Sequence, residues 1–281
     1  MANIILLANL NCDRILLLDK PLESGGRFHY QDGGQRLGGG GANSGIGLVW
    51  AGHRVALVSQ VGRDALGDWL LAEAGNQGLD CRLVQRHGGN SSEMLLLMTP
   101  DGERTIVRPQ RPKFVLPAAP EWTLWDALYI NSSAEGAADW ARDALEHCLV
   151  LAQLAKDDRP RPCHILLTSG SDIQGRCGAS LWDYGVGIAG DELKYFIVTD
   201  GVNGASLYQA TGVERLPAVS TLVLDTTGAG DAYASGLLHG LCSGMAILES
   251  MAEAAHWAAC AVASVSSVPG PELQHYLRKQ G

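Results

Sequence analysis

Short apolar segments alternate with longer segments of helical spacing along most of the chain. The apolar segments predict strands at 4–8, 54–61, 127–130, 164–168 and 195–199. The longer segments predict helices at 42–51, 64–78, 134–155, 232–242 and 246–264. This alternation of strands and helices is typical of an α/β fold, in which helices cover both faces of a mostly parallel central sheet.

Two segments depart from this alternation. Residues 14–36 and 91–107 have the spacing of antiparallel strands, and Thr99-Pro100-Asp101-Gly102 supplies a turn within the second. They predict a small sheet, here called the β-lid, that projects from the main body. The α/β domain then comprises residues 1–13, 37–90 and 108–281. The glycine-rich segment 169–190 has no clear period and receives no assignment.

Composition narrows the classes of partner. The 281 residues can bury a large core, and 46% hydrophobic and 18% charged residues are typical of a soluble globular protein. The formal net charge is −9 and no block of Lys or Arg occurs, so we expect neither nucleic acid nor a membrane surface as a partner. No apolar run reaches transmembrane length.

Cysteine usage and the N-terminus bear on the compartment. The seven cysteines are scattered, without a CxxC pair, which favours reduced cytoplasmic thiols over disulfides or a zinc site. The apolar N-terminus lacks a basic segment and is interrupted by Asn9, Asn11 and Asp13, so it predicts a buried strand rather than a signal peptide.

The most informative motif is DTTGAGDAYASG, residues 225–236. Gly228-Ala229-Gly230 precedes a helix, where backbone N–H groups and the helix dipole attract anions. Asp231 beside such an anion hole suits a base that takes a proton from a hydroxyl, which then attacks a phosphate. The motif therefore indicates phosphoryl transfer to an alcohol. A simpler interpretation is that the glycines form a tight turn between a strand and a helix, and that Asp231 is an acidic residue favoured by the helix dipole.

Two further motifs lie in the N-terminal part. They are RLGGGGANSGIGLVWAGHRVALVSQVGRD, residues 36–64, and NLNCD, residues 9–13. Together with residues 225–236, they resemble the motifs of the ribokinase-like (PfkB) family of carbohydrate kinases. The resemblance extends over nearly the whole chain and implies a three-layer α/β/α fold with a β-lid that covers the sugar and often pairs with another subunit's lid. An exposed edge of the lid sheet would favour such a homodimer.

The resemblance also implies roles for individual residues. Asp231 would be the catalytic base, and Gly228, Ala229 and Gly230 would form the anion hole. The sugar would be held by Asn11, Asp13, Gly38, Gly39 and Asn43. The nucleotide would be bound by Thr199, Gly201 and Gly204, with His256 beside the adenine. Asp225 and Thr227 resemble a monovalent-cation site, usually for potassium.

The sequence departs from the family pattern at several positions. Gly40 stands where Lys is frequent, and Asn131-Ser132-Ser133 stands where a sugar-binding Glu is usual. The NxxE element that organises magnesium has no counterpart before residue 195, which leaves the magnesium ligands unassigned. Arg104 of the lid is interpreted as a solvated side chain.

The sequence therefore predicts a cytoplasmic kinase that uses ATP and Mg²⁺, with K⁺ as a candidate activator, to phosphorylate a primary hydroxyl of a small sugar. A nucleoside kinase of the same fold is an alternative, with Phe28, Tyr30 and Met94 as candidates for contacting the base. A sugar-binding or regulatory protein with impaired catalysis is another. A dinucleotide oxidoreductase is disfavoured, because neither glycine cluster has the GxGxxG spacing after a strand.

Overall fold

A computed structural model of the protein describes residues 1–178, 180–266 and 268–280. The strands are β1 (Asn3–Ala8), β2 (Asn11–Leu18), β3 (Tyr30–Gly38), β4 (Arg54–Val58), β5 (Gln60–Gly62), β6 (Gln85–His87), β7 (Glu93–Met98), β8 (Arg104–Val107), β9 (Ala127–Asn131), β10 (Leu149–Gln153), β11 (Ile165–Ser169), β12 (Tyr195–Thr199), β13 (Ala205–Gln209) and β14 (Gly212–Leu216). The helices are α1 (Gly40–Trp50), α2 (Ala65–Asn76), α3 (Ala137–Leu145), α4 (Gly170–Ile173), α5 (Leu181–Ala189), α6 (Ala229–Cys242), α7 (Ile247–Val262) and α8 (Pro271–Gln280). Short 3-10 turns lie at Trp122–Leu124 and Gly201–Asn203.

The central sheet has eight strands in the order β14-β13-β12-β11-β10-β9-β1-β4. The strands from β12 to β4 pair in parallel, and β13 and β14 add an antiparallel hairpin at one edge. Ile4 and Leu6 of β1 belong to one hydrophobic cluster, while Ile5 and Leu7 belong to the other. The strand is buried on both faces, which is why its sequence is continuously apolar.

Helices cover both faces of this sheet and complete three layers. Residues of α1, α2, α6 and α7 pack on one face, and residues of α3, α4 and α5 pack on the other. The α6–α7 contact is close because Gly236 has no side chain: a Cβ there would lie 2.8 Å from Cγ of Trp257. This packing fixes α6, whose first turn carries Asp231. The α/β/α architecture predicted from the sequence is confirmed.

The second sheet has four strands in the order β3-β2-β7-β8. β2–β3 and β7–β8 are antiparallel hairpins, while β2 and β7 pair in parallel. The predicted turn joins β7 to β8, with the Gly102 N–H donating to the Thr99 carbonyl over 2.9 Å. Asn11 and Asp13 lie at the beginning of β2, where this sheet meets the main body.

Asp64 anchors the segment that leads into β7. Its carboxylate caps α2 by accepting from the Gly67 N–H over 2.7 Å. It also accepts from the N–H and hydroxyl of Ser91, over 2.8 and 2.6 Å. Burial works to raise the pKa of Asp64, but these hydrogen bonds bring it below its ordinary value. The aspartate that ends the second sequence motif therefore has a structural role.

The predicted helix over residues 134–155 is wrong in its second half. α3 ends at Leu145, and Leu149–Gln153 forms β10, between β9 and β11. A continuous apolar run in a central parallel strand has no period that separates it from a buried helix. The predicted strand 54–61 is interrupted at Ser59, whose hydroxyl accepts from the Leu10 N–H over 3.0 Å. The unassigned segment 169–190 contains α4 and α5.

All seven cysteines are free thiols. Within residues 1–178, 180–266 and 268–280, every helix is too short or too polar to cross a membrane.

Candidate active site

The catalytic candidate, Asp231, lies in the first turn of α6. The helix is preceded by Gly228, whose φ of 79° is a left-handed conformation that favours glycine. The first three N–H groups of this helix have no carbonyl partner within it; that of Ala229 donates weakly to the Thr226 carbonyl over 3.3 Å, and those of Gly230 and Asp231 are available to an anion. Ser235 fixes this turn, because its hydroxyl donates to the Asp231 carbonyl over 2.7 Å.

Two amide side chains hold the Asp231 carboxylate. Asn43 Nδ2 of α1 donates to Oδ2 over 2.9 Å, and Asn131 Nδ2 at the end of β9 donates to Oδ1 over 2.8 Å. Burial raises the pKa of Asp231, and the two amide hydrogen bonds oppose that rise without cancelling it. A raised pKa brings the carboxylate closer to the range in which a general base is most effective.

Two departures from the family pattern meet beside this carboxylate. A Cβ at Gly40 would lie 2.4 Å from Nδ2 of Asn131 and 3.6 Å from Oδ1 of Asp231. A longer side chain at position 40 would therefore displace the amide that holds the base. The sequence analysis noted Gly40 and Asn131 separately and missed the role of Asn131.

A cavity of about 550 Å³, here called the polar pocket, opens at the Asp231 carboxylate. Of the predicted sugar-binding and anion-hole residues, it is lined by Asn11, Asp13, Gly39, Asn43, Gly228 and Gly230. Asn11 Nδ2 donates to Asp13 Oδ1 over 2.8 Å. Gly38 lies behind the lining: a Cβ there would be 2.4 Å from Asp13 Oδ1, so glycine makes room for that carboxylate.

The Asn43 side chain also presents an acceptor to this region. Its Oδ1 is buried and has no hydrogen-bond partner in the part of the chain that the structure describes. A buried polar atom without a partner is costly, and a ligand hydroxyl would relieve that cost. The apolar part of the lining comes from the lid residues Met94, Leu96 and Ile106 and from Leu154 and Leu167 of the main body.

A second cavity of about 410 Å³, here called the apolar pocket, is also lined by Gly230. Thr199, Gly201 and Gly204, predicted to bind nucleotide, line it together with the small side chains Ala255, Ala258 and Ala259 of α7. Thr199 and Gly230 line both cavities, so the two adjoin at the turn that begins α6.

Comparison with known proteins agrees with this geometry. A family model described as pfkB family carbohydrate kinase matches residues 1–118 and 185–272.

The chain belongs to the pfkB family of carbohydrate kinases.

Relatives and solved structures are consistent with this family. The chain is 27% identical over 242 residues to the aminoimidazole riboside kinase of Salmonella typhimurium, covering 72% of each protein. It is 27% identical over 257 residues to the fructokinase of Klebsiella pneumoniae, covering 75% of this chain and 80% of the other. The structure of Arabidopsis thaliana ribokinase complexed with ribose and ATP superposes with a TM-score of 0.79 at 18% identity, covering 99% of each chain. This pfkB-family protein is thus a sugar or nucleoside kinase, as the sequence predicted.

One predicted nucleotide contact is not supported by its placement in this kinase. His256 lies on the exposed side of α7, and its ring stacks on Tyr276 of α8 with centroids 5.3 Å apart. The face of α7 that lines the apolar pocket carries Ala255, Ala259 and Val262 instead. Residues one position apart on a helix point about 100° apart, so His256 is turned away from this face. The sequence analysis missed Tyr233, which lines the pocket and has a buried hydroxyl without a partner among the described residues.

The interpretation of Arg104 as a solvated side chain is wrong. Its side chain is 23% exposed, and Nη1 lies 3.0 Å from both carboxylate oxygens of Asp225. Asp225 Oδ1 also accepts from the Thr227 N–H over 2.8 Å and from its hydroxyl over 2.6 Å. Burial works to raise the pKa of Asp225, but the contacts with Thr227 and Arg104 lower it overall.

These contacts bear on the predicted monovalent-cation site. The carboxylate of Asp225 is already neutralised by a guanidinium, and Oδ1 carries two further donors from Thr227. The residues present therefore do not fit a bound potassium ion.

Magnesium has a different requirement, because it keeps several waters and binds through one or two carboxylates and the phosphates of a substrate. No cluster of three or more His, Cys, Asp and Glu suited to a metal occurs among the described residues. Asp172 of α4 lines the polar pocket beside Lys156, with which it forms an ion pair. Unlike the Arg104–Asp225 pair, this pair is open to solvent, with Lys156 80% and Asp172 39% exposed, so a magnesium ion that arrives with nucleotide phosphates could reach the Asp172 carboxylate.

Arginine side chains add positive charge to the polar pocket. Arg108 and Arg111 follow β8 and line the cavity. Neither arginine was singled out from the sequence, because neither lies in a recognised motif.

Proposed function

We propose that this kinase transfers the γ-phosphoryl group of ATP to a hydroxyl of a small sugar. We expect this hydroxyl to be a primary one. The observation that carries the proposal is the position of Gly228–Gly230 where two cavities adjoin, with the Asp231 carboxylate at the polar one. The two substrates would meet at the first turn of α6.

ATP would occupy the apolar pocket. Alanine side chains on one face of α7 leave room for a flat adenine ring, and the turn Gly201–Asn203 closes the cavity on the opposite side. The buried hydroxyl of Tyr233 offers a hydrogen bond that the protein does not satisfy. The triphosphate would extend from here towards the N–H groups of Gly230 and Asp231.

The sugar would occupy the polar pocket. Carboxylate and amide groups of Asn11, Asp13 and Asn43 suit the alternating donors and acceptors of a polyol. Asn131 holds Asp231, so the sugar contacts made by Glu in other family members would be replaced here. Gly39, whose φ is 85°, leaves room for Asn11 in this pocket, because a Cβ there would lie 2.4 Å from the Asn9 carbonyl oxygen and 2.6 Å from Asn11 Oδ1.

In the reaction, Asp231 would accept the proton of the sugar hydroxyl as its oxygen attacks the γ-phosphorus. The first-turn N–H groups of α6 would stabilise the charge on the transferring phosphoryl group, and Arg108 and Lys156 would add positive charge from the far wall. Mg²⁺, when bound near Asp172, would supply charge neutralisation on the phosphates. Cover by the lid would limit the access of water.

A nucleoside is the second candidate substrate. Three apolar lid side chains in the polar pocket, Met94, Leu96 and Ile106, offer a surface on which a base could pack. Phe28 and Tyr30 are not among the lining residues, and Tyr30 is 62% exposed. The similarity to an aminoimidazole riboside kinase favours testing ribosides as well as free sugars.

A screen of pentoses, hexoses and nucleosides, with ATP and Mg²⁺, tests the proposal. ADP release measures turnover, the mass of the product identifies the phosphorylated compound, and calorimetry measures binding without turnover. We expect one class to give a product 80 mass units heavier, as phosphorylation requires. Tight sugar binding without such a product would instead support a sugar-binding or regulatory protein with impaired catalysis.

We also propose that the kinase works as a cytoplasmic homodimer paired through its lids. The lid edge strand β3 is largely exposed along Tyr30–Gln35 and could pair with a second copy. The seven free thiols support a reducing compartment.

A further inference from the structure

We propose that Arg104, which the lid carries, takes the place of a monovalent cation beside the phosphate-binding loop of this kinase. The inference rests on the proposed function in one respect, namely that the loop from Asp225 to Gly230 receives phosphate. It concerns how this loop is neutralised, not which sugar is bound.

The contact is more than a surface ion pair. Arg104 Nη1 donates to both oxygens of Asp225 over 3.0 Å, and the two side chains are only 23% and 16% exposed. Hydrogen bonds between charged groups are stronger than neutral ones, and partial burial reduces screening by solvent. A carboxylate this poorly exposed needs a positive partner near it.

The contact also joins two parts of the molecule that are 121 residues apart in sequence. Arg104 is the first residue of β8 in the lid, and two positions on, Ile106 lines the polar pocket. Asp225 lies two residues before Thr227, which lines the same pocket. The ion pair therefore connects the lid to the loop that leads into the anion hole.

A tethered cation differs from a dissolved one. Arg104 is attached to β8, so its charge is held beside Asp225 at a high effective concentration that does not depend on ions in solution.

The experiment compares three proteins in KCl and in tetramethylammonium chloride at equal ionic strength. Arg104→Ala removes the guanidinium, and Arg104→Ala/Asp225→Asn removes the charge that it neutralises as well. Arg14→Ala is the matched control, because Arg14 pairs with Asp32 in the same lid over 2.6 Å but at exposed positions. The readouts are the Kd of ADP by calorimetry, the Tm without nucleotide, and turnover.

We expect the wild type and Arg14→Ala to have the same ADP Kd in both salts, within about twofold. Arg104→Ala should bind ADP about tenfold more weakly in tetramethylammonium, the loss of one charge-assisted contact, and K⁺ should restore most of the affinity. K⁺ should also raise the Tm of Arg104→Ala, because an ion that binds the folded state stabilises it. The double variant should not respond to K⁺ in either measurement.

A wild type that K⁺ activates several-fold would overturn the inference, as would an Arg104→Ala protein whose ADP affinity and Tm ignore K⁺. If no nucleotide binds to the wild type, the proposed function fails, and the Tm measurements still decide the inference. Arg104→Lys guards against misfolding: it keeps the charge, so it should remain insensitive to K⁺ while losing part of the affinity.

Discussion

The two pockets that adjoin at Gly230 are built in opposite ways. The polar pocket is defined by side chains that hold one another: Asn43 and Asn131 fix Asp231, and Asn11 fixes Asp13. The walls of the apolar pocket are backbone turns, the alanines of α7 and larger apolar side chains such as Val223 and Met251. Ligand binding in the polar pocket should therefore depend on which polar groups are present, and ligand binding in the apolar pocket on the volume of the cavity.

This difference predicts how each side should fail. A change of charge or hydrogen bonding in the polar pocket should act on turnover and its pH dependence. A change of size in the apolar pocket should change nucleotide affinity and leave turnover and its pH dependence unaltered. If a polar-pocket variant changed only nucleotide affinity, or an apolar-pocket variant changed the pH dependence of turnover, the two pockets would not be the two halves of one site.

The largest effect is expected from Asp231→Asn. The amide keeps the shape of the side chain but cannot accept the proton of a hydroxyl, and general-base catalysis contributes roughly a hundredfold to ten-thousandfold. We expect kcat to fall by at least about a hundredfold, the lower end of that range, measured by coupled ADP release. A kcat within a few-fold of the wild type would refute the assignment of Asp231 as the base.

A smaller effect is expected from Ala259→Phe, which fills the apolar pocket. The ring would occupy space that the adenine needs, so the KM for ATP should rise about tenfold or more, a loss of about 1.4 kcal/mol of binding, while the sugar KM stays unchanged. Ala252→Phe on the exposed side of α7 is the control and should alter neither KM. If both KM values rise together for Ala259→Phe, the apolar pocket does not serve the nucleotide alone.

The smallest of the three effects, and the most specific, is expected from Asn131→Ala. Its amide donates to the Asp231 carboxylate, which favours the ionised form, so its removal should raise the pKa of Asp231 further. Because the base must be ionised, the acidic limb of the pH profile of kcat/KM should move to higher pH, with a loss of a few-fold at neutral pH. Ala259→Phe should leave that limb where it is, and an unmoved limb in Asn131→Ala would count against the contact.

The sequence predicted those parts of the site that are contiguous. The anion hole and Asp231 lie within a few residues, and Asn11, Asp13, Gly39 and Asn43 lie at the ends of predicted elements. The partners that tune them are distant: Asn131 lies 100 residues from Asp231, and Arg104 lies 121 residues from Asp225. A contact between residues far apart in the chain leaves no local sequence pattern. Asn131 was therefore recognised only as a departure from the family pattern, and Arg104 was interpreted as a solvated lid residue.

The remaining errors have similar physical causes. β10 was predicted as helix because burial on both faces removes the alternation that marks a strand. His256 was assigned to adenine because it lies on the correct helix, but neighbouring residues on a helix face different directions, and the wall is made by Ala255 and Ala259. Alanines that line a pocket have no polar side chain by which the pocket could be recognised in the sequence.

We propose that Asp231 acts on the reacting hydroxyl and is not needed to hold the sugar. The decisive measurement is a calorimetric titration of Asp231→Asn with the sugar that the wild type phosphorylates. We expect a Kd close to that of the wild type, because Asn11, Asp13 and Asn43 remain, in a protein whose turnover is lost. Loss of sugar binding in step with turnover, in a protein that remains folded, would contradict it.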